Sequence, residues 1–137
     1  MIEHTCRIRV RYAESDQMQF AHHSNYIVWF EAARIELLRA IGVNYAQMEQ
    51  GGYLLPVLEV CAQYLKPARF DDELHITARI AEKPRAKCRI GYEVKTDYQL
   101  ICSGHSLHGF INAQGKAIRP PGAFVQAVEK YFTSSRD

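Results

Sequence analysis

This 137-residue chain has no stretch of about 18 apolar residues free of charge, so no membrane-spanning helix is expected. Its opening, MIEHTCRIRV, has no apolar run of the kind that marks a secretory leader, which points to the cytoplasm. Charge of one sign is also scarce. Seventeen Lys and Arg stand against fifteen Asp and Glu, and a balance of +2 is too weak a field to argue for a nucleic-acid partner. The four cysteines, Cys6, Cys61, Cys88 and Cys102, include no pair at the close spacing of a zinc ribbon or redox dithiol, and they read as reduced core thiols. Neither an internal repeat nor a low-complexity tract occurs. With hydrophobic residues at 47% and charged residues at 23%, disordered and collagen-like classes drop out. A chain of this size folds around one core, so one domain over residues 1–137 is expected.

What is present is patterned. In CRIRVRY, Cys6, Ile8, Val10 and Tyr12 alternate with Arg7, Arg9 and Arg11, the period of a half-buried strand. Over residues 25–41 the period changes and only a narrow polar stripe remains, which predicts a long buried helix of about 25 Å. Ser24 or Asn25 can cap its start and Gly42 can end it. EQGGY reads as a turn. Four alternating runs follow, at 54–64, 74–80, 88–94 and 100–111, joined by segments short enough for antiparallel neighbours, with hairpins after Ile80 and Val94. RPPGAFVQAVEKYF predicts a short terminal helix with Phe124, Ala127, Val128 and Tyr131 on one face. The order gives an α+β fold, a five-stranded antiparallel sheet curled around the long helix. The outer face of that sheet must then be solvated or covered by a second subunit.

Between the first strand and the helix, RYAESDQMQFAHHSNY holds an acid, Asp16, and adjacent histidines, His22 and His23. A helix start offers unpaired N–H groups and a positive dipole end. An acid one short loop away could attack, or deprotonate water, opposite an oxyanion held by those groups. Asp16 also reads as an ordinary turn residue, since aspartate is common after strands.

The run RYAESDQMQFAHHSNYIVWFEAAR resembles the opening motif of the hotdog-fold acyl-CoA thioesterases of the 4-hydroxybenzoyl-CoA thioesterase and YbgC type. The matching parts are Tyr12, Glu14, Asp16, His23, Asn25, Tyr26, Trp29, Phe30, Glu31 and Arg34; YLKPARFDDEL and NAQGKAIRPP resemble the family more weakly. The resemblance implies a hotdog fold, a homodimer or homotetramer with the site between subunits, and hydrolysis of a coenzyme A thioester without a cofactor. It implies Asp16 as nucleophile or general base and the backbone N–H at His23 as oxyanion donor. Tyr12, Asn25 and Tyr26 become candidates for substrate contact. One departure stands out: Gln19, followed by Phe20 and Ala21, occupies a loop in which many relatives carry glycine, and glutamine tolerates φ > 0 poorly.

Other groups have competing readings. His22 has no counterpart and reads as structural, while the His23 side chain suits substrate orientation and structure equally. Glu31 and Arg34 share a helical face and read as an ion pair, with a catalytic Glu31 as the other possibility. His105 and His108 lie three apart on a strand and so on opposite faces, which argues against a metal site. Arg85, Lys87 and Arg89 form a basic cluster that is either a solvated edge or, with Lys66 and Arg119, a cradle for coenzyme A phosphates. The leading expectation is an acyl-CoA thioesterase; the alternative is a non-catalytic acyl-CoA or acyl-carrier binding protein of the same fold.

Overall fold

The computed structural model describes residues 1–133. Its strands are β1 (Ile2–Arg9), β2 (Val57–Tyr64), β3 (Glu73–Ile80), β4 (Lys87–Lys95) and β5 (Leu100–Gly109), and its helices are α1 (Ser24–Ala40), α2 (Tyr45–Gln50) and α3 (Gly122–Thr133). The strands form one antiparallel sheet in the order β1-β3-β4-β5-β2, with β3–β4 and β4–β5 as sequential hairpins. This is the antiparallel sheet around a long helix that the sequence pattern predicted, and the hotdog architecture that the resemblance implied.

Alternation builds the core. Leu74, Ile76, Ala78 and Ile80 on β3 and Cys88, Ile90, Tyr92 and Val94 on β4 are buried on the face toward α1. The opposite face is polar, and Arg79 there pairs with Glu3 and Glu93. On α1 the buried residues are Tyr26, Trp29, Phe30, Ala33, Arg34, Leu37 and Leu38, a single stripe at helical spacing. Phe30 stacks on Tyr92 with centroids 4.3 Å apart, and a Cβ at Gly104 would lie 2.8 Å from Phe30 Cε2 and collide with the Cys61 carbonyl. Glycine is therefore what lets the helix lie flush on the sheet. The helix ends as expected: Gly42, at φ +90°, donates to Arg39 O, and Val43 donates to Leu38 O.

Several expectations need correction. The helix is not enclosed on most sides, because Val28, Glu31 and Ala32 face outward. The first strand runs earlier than 6–12, since the Arg11 N–H goes to Glu14 Oε1 (2.8 Å) instead of a ladder partner and turns Tyr12–Glu14 into a 3-10 helix. Tyr12 leaves the strand and is 73% exposed. The segment before EQGGY forms α2, capped by Asn44, whose side chain accepts from the Gln47 N–H at 3.0 Å. Asn44 was the available signal. In α3, Phe124 and Val128 are buried but Tyr131 is exposed, and Phe132 packs against the core instead. Of the thiols, Cys88 and Cys102 are buried, with burial pushing them up to about 12 and about 11, whereas Cys61 is exposed on the edge strand β2.

A chain of polar groups crosses the core. Arg34 Nη1 donates to Tyr92 Oη (3.2 Å), Tyr92 Oη lies 2.6 Å from Ser106 Oγ, and Ser106 Oγ lies 2.7 Å from His108 Nε2. Arginine can only donate, and with Tyr92 donating onward to Ser106 and Ser106 to His108 every hydroxyl hydrogen is used, an assignment that puts the imidazole proton on Nδ1. His108 is therefore a core group and not a surface one, while His105 points the other way and pairs with Glu59 at 3.0 Å. Burial, then the nearby Arg34 charge, pushes His108 down to about 4. As pH falls, the unfolded chain takes up this proton near pH 6.5 and the folded protein only near 4. Stability from this group should be complete above pH 6.5 and decline between 6.5 and 4. Urea denaturation across that range should show the decline, and His108→Asn should remove that part of the slope.

Candidate functional site

The segment between β1 and α1 is a miniature hairpin. Ser15 bridges Ala21, the His22 N–H donates to Glu14 O (2.9 Å), and the Asp16 N–H donates to Phe20 O (2.8 Å). The Gln19 N–H returns to Asp16 O at 2.9 Å, so Asp16 to Gln19 make a turn whose last residue, Gln19, has φ 66°. A three-residue hairpin loop takes this path, and its left-handed position is the one that favours glycine. Gln19 thus keeps the turn despite its side chain. Asp16 opens the turn, and its Oδ1 accepts from the N–H groups of Met18 (2.8 Å) and Phe20 (3.1 Å). The carboxylate is thereby oriented, and Oδ2 has no partner among the described residues.

The hairpin delivers the chain directly into α1. Neither Ser24 nor Asn25 caps the start. Instead the Ser24 N–H donates to His22 Nδ1 (3.2 Å), and the Asn25 N–H donates to His22 O (3.0 Å). Asn25 Nδ2 donates to Glu14 O (2.8 Å) and His22 O (3.2 Å). Within the described residues no acceptor takes the His23 N–H, so this helix-start donor is left open beside the hairpin that carries Asp16. The Tyr64 hydroxyl donates to His23 O (3.1 Å), and the Tyr26 hydroxyl accepts from the Ala68 N–H (3.1 Å). His23, Tyr26, Tyr64, Leu65, Lys66, Pro67 and Ala21 surround an open depression of about 250 Å³. His23, Tyr26 and Lys66 therefore meet there, while Asp16 is not among the lining residues. Tyr12 packs edge-on against Phe70 at 5.5 Å, on the Asp16 side.

Glu14 emerged with no role from the sequence beyond its place in the motif. It is 6% exposed, and its carboxylate accepts from the Arg11 N–H, Trp29 Nε1 (3.1 Å) and Arg11 Nη2 (3.4 Å). Burial works against its charge, but these donors outweigh it and hold the carboxyl below its usual range. The signal was an acid three residues after Arg11, the spacing of a capping box.

Other candidates lie elsewhere. Glu31 is exposed and sits 3.9 Å from the buried Arg34, as an ion pair. Lys87 and Arg89 lie at the β4 end that pairs with Gly109 and Leu107, with Arg85 in the turn before it. Asp16 adjoins the opposite end, where Arg9 pairs with Glu73, so the cluster and the acid are separated by about 20 Å of strand within one subunit. Glu73, His75 and Asp97 bring ligand-type atoms within 4.8 Å of one another. Arg9 already pairs with Glu73 at 3.4 Å and His75 lies 3.0 Å from Asp97, so these groups have partners within the chain.

Residues 10–128 match the model of the thioesterase-like superfamily. The chain belongs to the thioesterase-like superfamily. Among curated proteins it is 37% identical over 87 residues to the acyl-CoA thioesterase named YneP of Bacillus subtilis, covering 64% of this chain and 63% of that protein, so the match spans less than two thirds of the relative. It is 28% identical over 123 residues to an esterase of Aquifex aeolicus, covering 90% of this chain and 95% of that one. Among solved structures, a DHNA-CoA thioesterase from Staphylococcus aureus superposes with a TM-score of 0.90 at 28% identity, covering 96% of this chain and 91% of that chain. A glycine in the hairpin turn would avoid the strain Gln19 bears. Gln19→Gly should therefore raise stability by roughly 0.5–1 kcal/mol, the relief of the left-handed conformation less the added freedom of the unfolded chain. Urea denaturation measures this, and turnover of a thioester should be kept or raised.

Proposed function

We propose that the protein hydrolyses acyl-CoA thioesters to a free acid and coenzyme A. The observation that carries this reading is the pairing of an oriented carboxylate, Asp16, with the open His23 N–H at a helix start, on one short hairpin. Asp16 Oδ2 attacks the thioester carbon or takes a proton from an attacking water. The carbonyl oxygen becomes negative, and the His23 N–H and the positive end of α1 stabilise it. Collapse breaks the carbon–sulfur bond and the coenzyme A thiolate leaves. With Asp16 as base, the thiolate takes up the proton Asp16 holds and the acid is released directly. With Asp16 as nucleophile, water then hydrolyses the acyl–Asp16 anhydride, freeing the acid and restoring the carboxylate. The relatives named as acyl-CoA thioesterases support the substrate class. The retained turn at Gln19 weighs against the non-catalytic alternative, because the departure in sequence leaves the carboxylate's hydrogen bonds intact.

The site is open on one side, and so is the sheet. β2 is an edge strand on which Val57, Leu58, Val60 and Tyr64 are exposed, continuing into exposed Leu65. An unpaired apolar edge of this length invites a second copy. A homodimer or homotetramer formed through β2 would cover the depression beside His23. It would also allow Arg85, Lys87 and Arg89 to approach coenzyme A phosphates from a neighbouring subunit, with Lys66 contributing locally. Sedimentation at micromolar concentration should give dimers or tetramers; monomer alone would remove the shared-site reading.

A thiol-trapping assay over a panel of acyl-CoA esters separates hydrolysis from mere binding. On the best ester, Asp16→Asn keeps the shape of the side chain and loses its charge. Turnover should fall by about 10² to 10⁴ with little change in KM. His22→Ala should cost far less. Retention of more than about a tenth of wild-type turnover by Asp16→Asn would move the search for the acid to Glu31.

A further inference from the structure

We infer that Glu14 is a positioning residue for the Asp16 reaction, fixing the acid against the His23 N–H by binding both sides of the hairpin at once. The inference rests on the hydrolase reading above. Glu14 is nearly fully buried, and a buried carboxylate persists only where donors satisfy it. Here Oε1 accepts from the Arg11 N–H at 2.8 Å, and Oε2 accepts from the Trp29 indole at 3.1 Å and the Arg11 guanidinium at 3.4 Å. Its side chain thus ties the end of the β1 segment to the first turns of α1. Its main chain ties the other strand of the hairpin, since Glu14 O accepts from the His22 N–H at 2.9 Å and from Asn25 Nδ2 at 2.8 Å. His22 and Asn25 flank His23, and Asp16 is two residues along the chain from Glu14. The two reacting groups are therefore referenced to one residue, from which each is displaced by only a few bonds.

Both carboxylate oxygens are acceptors, and an amide offers only one. In Glu14→Gln an NH₂ group must face either the Arg11 N–H or the Trp29 N–H, so one tie is lost while volume is kept. A misplacement of about 1 Å between reacting groups costs about a hundredfold in rate. Glu14→Gln should therefore lower kcat by about ten- to a hundredfold with KM within threefold, because Lys66 and the depression around it are untouched. Val128→Ala, in α3 and away from the hairpin, serves as the comparison: it should lower the melting temperature without lowering kcat. If Glu14→Gln does not fold, Trp29→Phe removes one donor and keeps a ring in the core, and it should lower kcat three- to tenfold with KM unchanged. Either folded variant with kcat within twofold of wild type overturns the inference, as does a loss confined to KM. A wild-type protein that releases no thiol from any ester in the panel fails earlier, at the hydrolase reading itself, and takes this inference with it.

Discussion

Phe30 lies flat on Tyr92, and it can do so only because Gly104 presents no side chain. That contact sets how far α1 sits above the sheet and how it is rotated about its own axis. Once Phe30 is fixed, the helical repeat brings Tyr26 under Ala68 and Tyr64 one turn earlier and Arg34 under Tyr92 one turn later. The open end of the helix is consequently delivered to the β2 and β5 ends at Tyr64 and Cys102, next to the turn that holds Asp16. A side chain at position 104 would lift the helix, and every distance at its start would change with it.

The same stripe explains why a charged residue can sit in the core. Arg34 is placed by the spacing that buries Phe30 and Leu38, and it meets a hydroxyl instead of an apolar neighbour. The relay through Tyr92 and Ser106 to His108 consumes the donors and acceptors along the way, at a cost that leaves Arg34 Nε and His108 Nδ1 without partners among the described residues. Replacing such a network by apolar residues is often neutral or stabilising, so stability alone does not account for it. A directional chain does specify one rotamer and one tautomer at each member, and it ties α1 to two strands in a single register.

The fold was legible because its determinants are periodic and local. Alternation at β3 and β4 and the spacing along α1 encode faces directly, and Gly42 marks a helix end by its backbone freedom. What could not be seen depended on contacts between distant segments. Tyr12 continues the alternation of β1, yet leaves the strand because Glu14 captures the Arg11 N–H. The long helix reads as enclosed because Val28 and Ala32 are apolar, but both lie on the exposed side of α1. At the site, Asp16 and the start of α1 were visible from their types and order. The separation of the basic cluster from Asp16 was not, since only the register shows that Lys87 lies at the far end of the strands. The Arg11 spacing of Glu14 is a local signal, but its contact with Trp29 exists only once the chain turns back on itself.

Gln19 tests how tightly that hairpin is determined. A non-glycine residue in the left-handed region costs about 1–2 kcal/mol, which would suffice to unseat a loop held by one contact. Here four hydrogen bonds close residues 16–20 on themselves, two of them to Asp16 Oδ1, and the Gln19 carbonyl takes the Phe70 N–H at 2.9 Å as well. At about 0.5–1.5 kcal/mol net for each, these bonds exceed the strain. The carboxylate of Asp16 is itself part of what holds the turn, so the group proposed to react also fixes its own position. One carboxylate oxygen is committed to Met18 and Phe20, and the other has no partner among the described residues. The turn's conformation, and not a glycine at position 19, is what orients the carboxylate.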